Sequence, residues 1–269
     1  MLSALSPGFP AMTYCLAIKL NAGLVFVSDS RTNAGVDQIS TYSKMHTFGV
    51  DGQRQFCLLT AGNLATSQAI VNQLKHDIAQ GMPMSLMTMK SLDEAADYIG
   101  QVSLMQQQKA GGGSEFEASV IFGGQIAGSP ADVVLIYPQG NHIATSRTTP
   151  FLQIGESKYG KPILDRIIAP ETALHTAVLC GLVSMDSTMR SNVTVGPPIE
   201  VIAYASDSLV LKNRLMLDED SDYLRELKRS WDQRLKEAFR SLPHPAWAHA
   251  WDHPLDDQPL PQQDPGAIS

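Results

Sequence analysis

The chain has 269 residues, of which 43% are hydrophobic and 17% are charged, as is typical of a folded globular protein. It carries 20 Lys and Arg against 27 Asp and Glu, a net charge of -7, which argues against general nucleic-acid binding. The longest apolar stretch, near residues 177–185, is too short to span a bilayer. Residues 1–11 lack the features of a signal peptide, and the few cysteines are expected to be reduced. We therefore expect a cytoplasmic protein without a metal or another cofactor.

The first part of the chain is predicted to form two pairs of strands followed by two helices. The turn sequences Asn21-Ala22-Gly23 and Asp51-Gly52 separate the strands of each pair and predict hairpins. Ser91 followed by Glu94 forms a capping box, which predicts the start of the second helix. The predicted elements are strands at 13–20, 24–29, 40–50 and 55–61, a helix over 64–78 and a helix from about 91 to 110.

The second part is predicted to repeat this order and to add a final helix. The predicted elements are strands at 117–126, 132–137, 142–145 and 151–154, helices over 159–168 and 171–185, strands at 199–205 and 209–211, and an amphipathic helix over 221–242. Such segregated blocks indicate an α+β domain in which two antiparallel sheets pack together with helices outside. Residues 243–269 are rich in Pro and Gln, without periodicity, and are expected to be a disordered tail.

Thr13 is the first candidate functional residue because it opens the first predicted strand. Met12 before it fits a start codon and a substrate for methionine removal, so residues 1–12 are expected to be absent from the mature protein. A terminal Thr13 would carry a free α-amine, of pKa about 7.7–8.0, beside its own hydroxyl. That amine can accept the hydroxyl proton, which makes the residue a nucleophile without a histidine. The alternative is an ordinary threonine that fits the pleat of a strand.

Three further residues could support this nucleophile. Asp29 ends the second strand, which the hairpin returns beside Thr13, and Lys44 is placed similarly by the next strand. An ammonium group lowers the pKa of a nearby hydroxyl, and a carboxylate keeps that ammonium charged and oriented. Gly62, at a strand-to-helix turn, can offer its N–H to a tetrahedral oxyanion. The alternatives are a solvated ion pair and a glycine needed only for its backbone angles.

Two other groups of residues do not indicate a site. Gly111-Gly112-Gly113 is not followed by the Lys-Ser/Thr of a phosphate-binding loop. His244, His249 and His253 are five and four residues apart in a Pro-rich segment, a spacing that is not diagnostic of a metal site. We therefore interpret these histidines as part of the tail.

Taken together, the candidate residues resemble the N-terminal-nucleophile hydrolases of the proteasome β-subunit superfamily, and more specifically its bacterial Anbu (ancestral beta subunit) branch. The resemblance runs from Thr13 to about Leu242. It is carried by the ordered set Met12-Thr13-Tyr14-Cys15, Ser28-Asp29-Ser30-Arg31, Lys44, Ala61-Gly62, the segment 155–165 and the segment Asp186-Ser187-Thr188-Met189-Arg190-Ser191.

The resemblance implies a four-layer αββα sandwich over residues 13–242 and a threonine-type endopeptidase acting in intracellular protein breakdown. Classical β-subunits carry a serine three residues after the aspartate, where this chain has Met189. Ser191 is expected to substitute for that serine, and Ser157 for a second supporting serine. The residues so implied are Thr13, Asp29, Lys44, Gly62, Asp186 and Ser191 for catalysis, and Thr60 and Ser157 for substrate binding.

The resemblance also implies peptide or unfolded-protein substrates and assembly of identical subunits into a ring or an open spiral. No nucleic-acid or membrane partner is expected, and the question of an ATPase partner stays open. Because Met12 precedes the nucleophile where classical precursors have Gly, an aminopeptidase is expected to expose Thr13. Replacement of Lys44 by Ala is expected to lower the rate with little change in folding.

Two alternative functions remain open from the residues alone. One is an N-terminal-nucleophile amidohydrolase that acts on small amides, because the same fold supports both reactions. The other is a non-catalytic scaffold that assembles while the amine of Thr13 stays blocked.

Overall fold

The computed structural model of the protein describes residues 13–33, 39–243, 245 and 247. In this part of the chain there are twelve strands, five α-helices and a short 3-10 helix over Ser114–Phe116. The strands are β1 (Tyr14–Leu20), β2 (Gly23–Asp29), β3 (Arg31–Asn33), β4 (Ile39–Thr41), β5 (Met45–Val50), β6 (Arg54–Gly62), β7 (Ala118–Ile126), β8 (Asp132–Ile136), β9 (His142–Ala144), β10 (Phe151–Gly155), β11 (Ile199–Ala205) and β12 (Asn213–Leu217). The helices are α1 (Leu64–Ala79), α2 (Leu92–Ala110), α3 (Lys161–Ile167), α4 (Leu174–Ser191) and α5 (Asp222–Arg240).

The strands form two five-stranded antiparallel sheets and one two-stranded pair. The first sheet has the order β10-β1-β2-β11-β12, the second has the order β5-β6-β7-β8-β9, and β3 pairs with β4. The predicted first hairpin is confirmed, with Cys15 opposite Ser28. On its other side β1 pairs with β10, where Tyr14 lies opposite Gly155.

Successive side chains of β1 point to opposite faces of the first sheet, and both faces are buried. Leu16 and Ile18 belong to a cluster that joins this sheet to α3, α4 and the first turns of α5. Cys15 and Ala17 point the other way, into a cluster that contains residues of both sheets. A third cluster joins the second sheet to α1 and α2. Each fully buried large apolar side chain in these clusters contributes about 1.5–3 kcal/mol to folding.

The predicted capping box of α2 is confirmed. The Ser91 hydroxyl accepts a hydrogen bond of 3.1 Å from the N–H of Glu94. The Glu94 carboxylate accepts one of 2.8 Å from the N–H of Lys90, one residue before the position that the motif predicts. The helix ends at a glycine, Gly111, with φ of 128°.

Two strand predictions were wrong in detail. The predicted strand 40–50 is divided into β4 and β5, and Lys44 lies in the gap between them. The predicted strand 209–211 is a loop, because Leu209 has φ of 49° and cannot continue an extended chain. Its carbonyl accepts hydrogen bonds from the N–H of Gly52 and the side chain of Gln55 in place of a neighbouring strand. β12 begins at Asn213 instead.

The chain divides into two compact units whose border lies between Lys228 and Arg229, within α5. In the second unit, the described part of α5 carries the exposed side chains Leu235 and Phe239. The predicted boundary of the tail at residue 243 stays a prediction, because most of residues 243–269 lie outside the described residues. The predicted extension 1–12 lies outside them as well.

His46 on β5 predicts a pH dependence of stability. Its Nε2 is buried with no hydrogen-bond partner among the described residues. Burial lowers the pKa of His46 from 6.5 to about 4, and the nearby Lys75 acts in the same direction. The unfolded chain therefore takes up a proton on this residue at a higher pH than the folded chain does. The free energy of unfolding should fall by up to about 3 kcal/mol from this residue as the pH drops from 6.5 towards 4.

Urea unfolding at about pH 7 and about pH 4.5 measures this difference. We expect His46→Gln to lose less stability on acidification than the unaltered protein. His175→Gln, at an exposed histidine, serves as the control and should leave the pH dependence unchanged. The same acid sensitivity in His46→Gln as in the unaltered protein would contradict the assignment.

Candidate active site

Thr13 lies at the start of β1, at the edge of a small cleft. The cleft has a volume of about 60 Å³, and Thr13, Lys44, Thr60 and Gly62 line it together. The sequence therefore predicted four residues that the fold brings to one place from three different segments of the chain, since Thr60 and Gly62 both lie on β6. The remaining lining residues are Arg31, Thr32, Ala61, Leu64 and Ser67.

Asp29 and Lys44 form a buried ion pair beside this cleft. Lys44 Nζ donates to Asp29 Oδ1 at 2.7 Å and to the carbonyl oxygen of Arg31 at 2.7 Å. The Lys44 and Asp29 side chains are 4% and 0% exposed. Asp29 and the Arg31 carbonyl thus accept hydrogen bonds from two of the three N–H groups of the Lys44 ammonium. The third is available to a group in the cleft, which Lys44 lines.

Backbone N–H groups donate hydrogen bonds to both oxygens of the Asp29 carboxylate. Oδ1 also accepts from the N–H of Tyr14 at 3.1 Å, and Oδ2 accepts from the N–H of Gly196 at 3.3 Å. Burial raises the pKa of Asp29 above its usual range, and the Lys44 ammonium and these two N–H groups oppose that rise. The carboxylate therefore fixes the lysine beside the residue that follows Thr13.

The backbone of Thr13 is held by the end of β10. The N–H of Glu156 donates to the carbonyl oxygen of Thr13 at 2.7 Å. Gly155 before it has φ of 80°, and a Cβ there would lie 1.8 Å from the same carbonyl oxygen. Glycine is required at this position because any side chain would push Thr13 out of place.

Gly62 ends β6 at the predicted strand-to-helix turn. It has φ of 107°, and a Cβ there would lie 2.4 Å from the carbonyl oxygen of Glu117, the residue just before the neighbouring strand β7. Asn63 next to it caps α1, because its Oδ1 accepts a hydrogen bond of 3.0 Å from the N–H of Thr66. The turn thus presents the backbone of Gly62 to the cleft, while its use as an oxyanion donor stays a prediction.

The other predicted site residues do not line the cleft as the structure describes it. Asp186 is buried within α4, which reaches β1 through a hydrogen bond of 2.7 Å between Ser184 Oγ and the hydroxyl of Tyr14. Ser191 is exposed at the last residue of α4. Ser157 is partly buried after β10, where its N–H donates to the carbonyl of Gly155. Their catalytic and binding roles stay predictions.

Sequence reasoning missed the groups that act through the backbone. The Arg31 carbonyl and the N–H groups of Gly196 and Glu156 hold Lys44, Asp29 and Thr13, yet a backbone group leaves no signature in the residue type. The glycine at position 155 was a usable signal, because a strand that ends in glycine often approaches another chain segment closely.

Neither a metal-binding cluster nor a membrane-spanning helix is found among the described residues. Within residues 13–33 and 39–243, no group of three or more His, Cys, Asp or Glu side chains could hold a metal ion. No helix in this same part of the chain is long and apolar enough to cross a membrane.

Comparison with models of known protein families gives no match, and comparison with curated proteins gives none. Comparison with solved structures gives clear matches. "Anbu (ancestral beta-subunit) from Yersinia bercovieri" is 43% identical over 87% of this chain and 98% of that chain, with a TM-score of 0.84. "Helical Assembly of the Anbu Complex from Pseudomonas aeruginosa" is 44% identical over 88% and 100%, also with a TM-score of 0.84. Anbu from Hyphomicrobium sp. strain MC1 is 39% identical over 86% and 99%, with a TM-score of 0.80. With this identity and coverage, the chain belongs to the Anbu (ancestral beta-subunit) family, whose members are related to proteasome β-subunits.

Proposed function

We propose that the chain is a proteasome-type threonine peptidase subunit that cleaves peptide bonds with Thr13 as its nucleophile. The observation that carries this proposal is the buried Asp29–Lys44 pair, whose lysine lines the same cleft as Thr13. A buried ion pair is costly to desolvate, so its position beside a candidate nucleophile points to a chemical use.

In the proposed reaction, Thr13 Oγ attacks the carbonyl carbon of a peptide bond. The α-amine of Thr13 accepts the hydroxyl proton and then gives it to the leaving amine. Lys44, oriented by Asp29, favours the developing alkoxide, and the N–H of Gly62 donates to the oxyanion. Water then hydrolyses the ester and regenerates the threonine. The chemistry requires no cofactor, only a free amine on residue 13.

We further propose a homo-oligomer in which this cleft faces an enclosed or partly enclosed space. Support comes from the Pseudomonas relative, which is described as a helical assembly. We also propose the layer order helices, sheet, sheet, helices for residues 13–242. Support for that order comes from the three core clusters, one between the sheets and one between each sheet and its helices.

The experiment that tests the function combines the intact mass of protein made from the native gene with a substrate panel. We expect a mass that begins at Thr13 and turnover of fluorogenic peptides. Retention of Met12 with no turnover would contradict the peptidase and favour the scaffold, because an acylated nitrogen cannot act as a base. Turnover of small amides with none of peptides would favour the amidohydrolase.

The cleft beside Thr13, about 60 Å³ in volume, does not by itself distinguish a peptide from a small amide. The panel therefore pairs each peptide with the simple amide of the same residue.

A further inference from the structure

Ser30 lies between the two residues that hold the Lys44 ammonium. Asp29 and Arg31 both accept hydrogen bonds from Lys44 Nζ, so the lysine is in place only if the short segment 29–31 is in place. The backbone of Ser30 is held by its own bonds. Its N–H donates to the carbonyl of Gly196 at 3.3 Å, and its carbonyl accepts from the N–H of Tyr42 at 2.8 Å.

The side chain of Ser30 is held by a buried carboxylate that the proposed reaction does not use. Ser30 Oγ donates to Glu200 Oε1 at 3.3 Å. Glu200 is 0% exposed and lies near the start of β11, an interior strand of the first sheet, opposite Ser28 of β2. The chain therefore places a charge in its interior at the strand end that carries the candidate active site.

Arg214 compensates that charge from the edge of the sheet. Its guanidinium donates to Glu200 Oε2 at 2.6 Å, and its side chain is 45% exposed on β12. Only the Glu200 end of this ion pair is buried. A pair with one exposed partner contributes little to stability, and an apolar residue at the buried end often stabilises a protein as well. Stability alone therefore does not account for a pair at this position.

We propose that Glu200 and Arg214 form a positioning pair that fixes the segment 29–31 and, through it, the ammonium of Lys44. The order of contacts is Arg214 to Glu200, Glu200 to Ser30, and Ser30 to the neighbouring acceptors of Lys44. The catalytic consequence rests on the proposed peptidase function. The placement of the lysine does not, and it can be measured by itself.

The test replaces the pair by apolar side chains of similar length, in the variant Glu200→Met/Arg214→Met. We expect kcat to fall by roughly 10- to 100-fold with KM unchanged, since a displacement of about 1 Å at a reacting group has an effect of this order. The melting temperature should stay the same or rise. Reaction with an amine-specific reagent, followed by peptide mass mapping, should label Lys44 faster than in the unaltered protein, because its acceptors have moved.

A second variant and a matched control keep the result clear. Ser30→Ala removes only the hydroxyl that joins Glu200 to the segment 29–31. It should lower kcat and speed the labelling of Lys44, each by less than the double variant does. The control removes the Lys19–Asp132 ion pair, 35% and 31% exposed, by Lys19→Met/Asp132→Met. Lys19 lies near the end of β1 that is remote from Thr13, so this variant should change neither kcat nor the labelling of Lys44.

Unchanged kcat and unchanged labelling of Lys44 in both the double variant and Ser30→Ala would overturn the proposal. So would an equal loss in the control, which would indicate a general effect of removing ion pairs. If the unaltered protein shows no turnover, the proposed peptidase function fails. The labelling rate of Lys44 still tests whether Glu200 and Arg214 position the lysine. Faster labelling then supports the positioning pair, and equal labelling overturns it.

Discussion

Thr13→Ala should abolish the turnover of peptide substrates and leave assembly intact. The variant lacks the only oxygen that can form the ester, so kcat should fall by on the order of 10⁶-fold, as for other removed nucleophiles. Thr13 is nearly buried, at 6% exposure, but its side chain is small and the backbone bond to Glu156 does not depend on it. Fluorogenic peptide assays measure the rate, and light scattering measures the size of the assembly.

Thr13→Ser is the matched control, because it keeps a hydroxyl and an α-amine at the same position. It should retain measurable turnover and the same assembly. Equal turnover in Thr13→Ala and the unaltered protein would refute the assignment of the nucleophile. It would also argue against this cleft as the active site.

Lys44→Ala should lower both the rate and the stability. Loss of the ammonium should lower kcat by about 10²- to 10⁴-fold, as for other groups that assist proton transfer. The structure changes the expectation for folding, because the variant leaves the carboxylate of Asp29 buried and uncompensated. Such a loss costs about 3–5 kcal/mol. Parallel urea unfolding and steady-state kinetics separate the two effects.

A double variant, Asp29→Asn/Lys44→Met, removes both charges and should recover much of the lost stability without recovering the rate. Lys19→Ala serves as a control in a partly exposed ion pair, which is worth only about 0–1 kcal/mol. A Lys44→Ala variant with normal kcat and only a raised KM would argue against a catalytic role for the lysine. So would a double variant with full activity.

The sequence predicted those parts of the fold that are encoded locally. Turn dipeptides and the Ser91 cap limit the conformations of a few adjacent residues, and the elements that they bound were found in place. The pairing of β10 with β1 was not predicted, because periodicity defines a strand but does not name its partner. The loop at Leu209 was missed for a related reason. Its apolar residues have the composition of a strand, but contacts with Gly52 and Gln55 fix its backbone.

The candidate site was predictable where function depends on residue type. Thr13, Lys44, Thr60 and Gly62 line one cleft, and Asp29 binds the lysine directly. The sequence did not indicate that Asp29 and Lys44 are almost completely buried, which sets the expected cost of removing one of them. Burial depends on the segments that pack from both sides, and these come from distant parts of the chain.

The place of β1 between β2 and β10 has a consequence for the order of events during synthesis. Ribosomes add about 5–20 residues per second, so residues 151–155 follow β1 after roughly 7 to 27 s. During that interval the bond between Met12 and Thr13 belongs to a nascent segment that still lacks one of its two neighbouring strands. Once β10 arrives, its end closes over the carbonyl of Thr13. If an aminopeptidase exposes Thr13, as the resemblance implies, we expect it to act before β10 is in place.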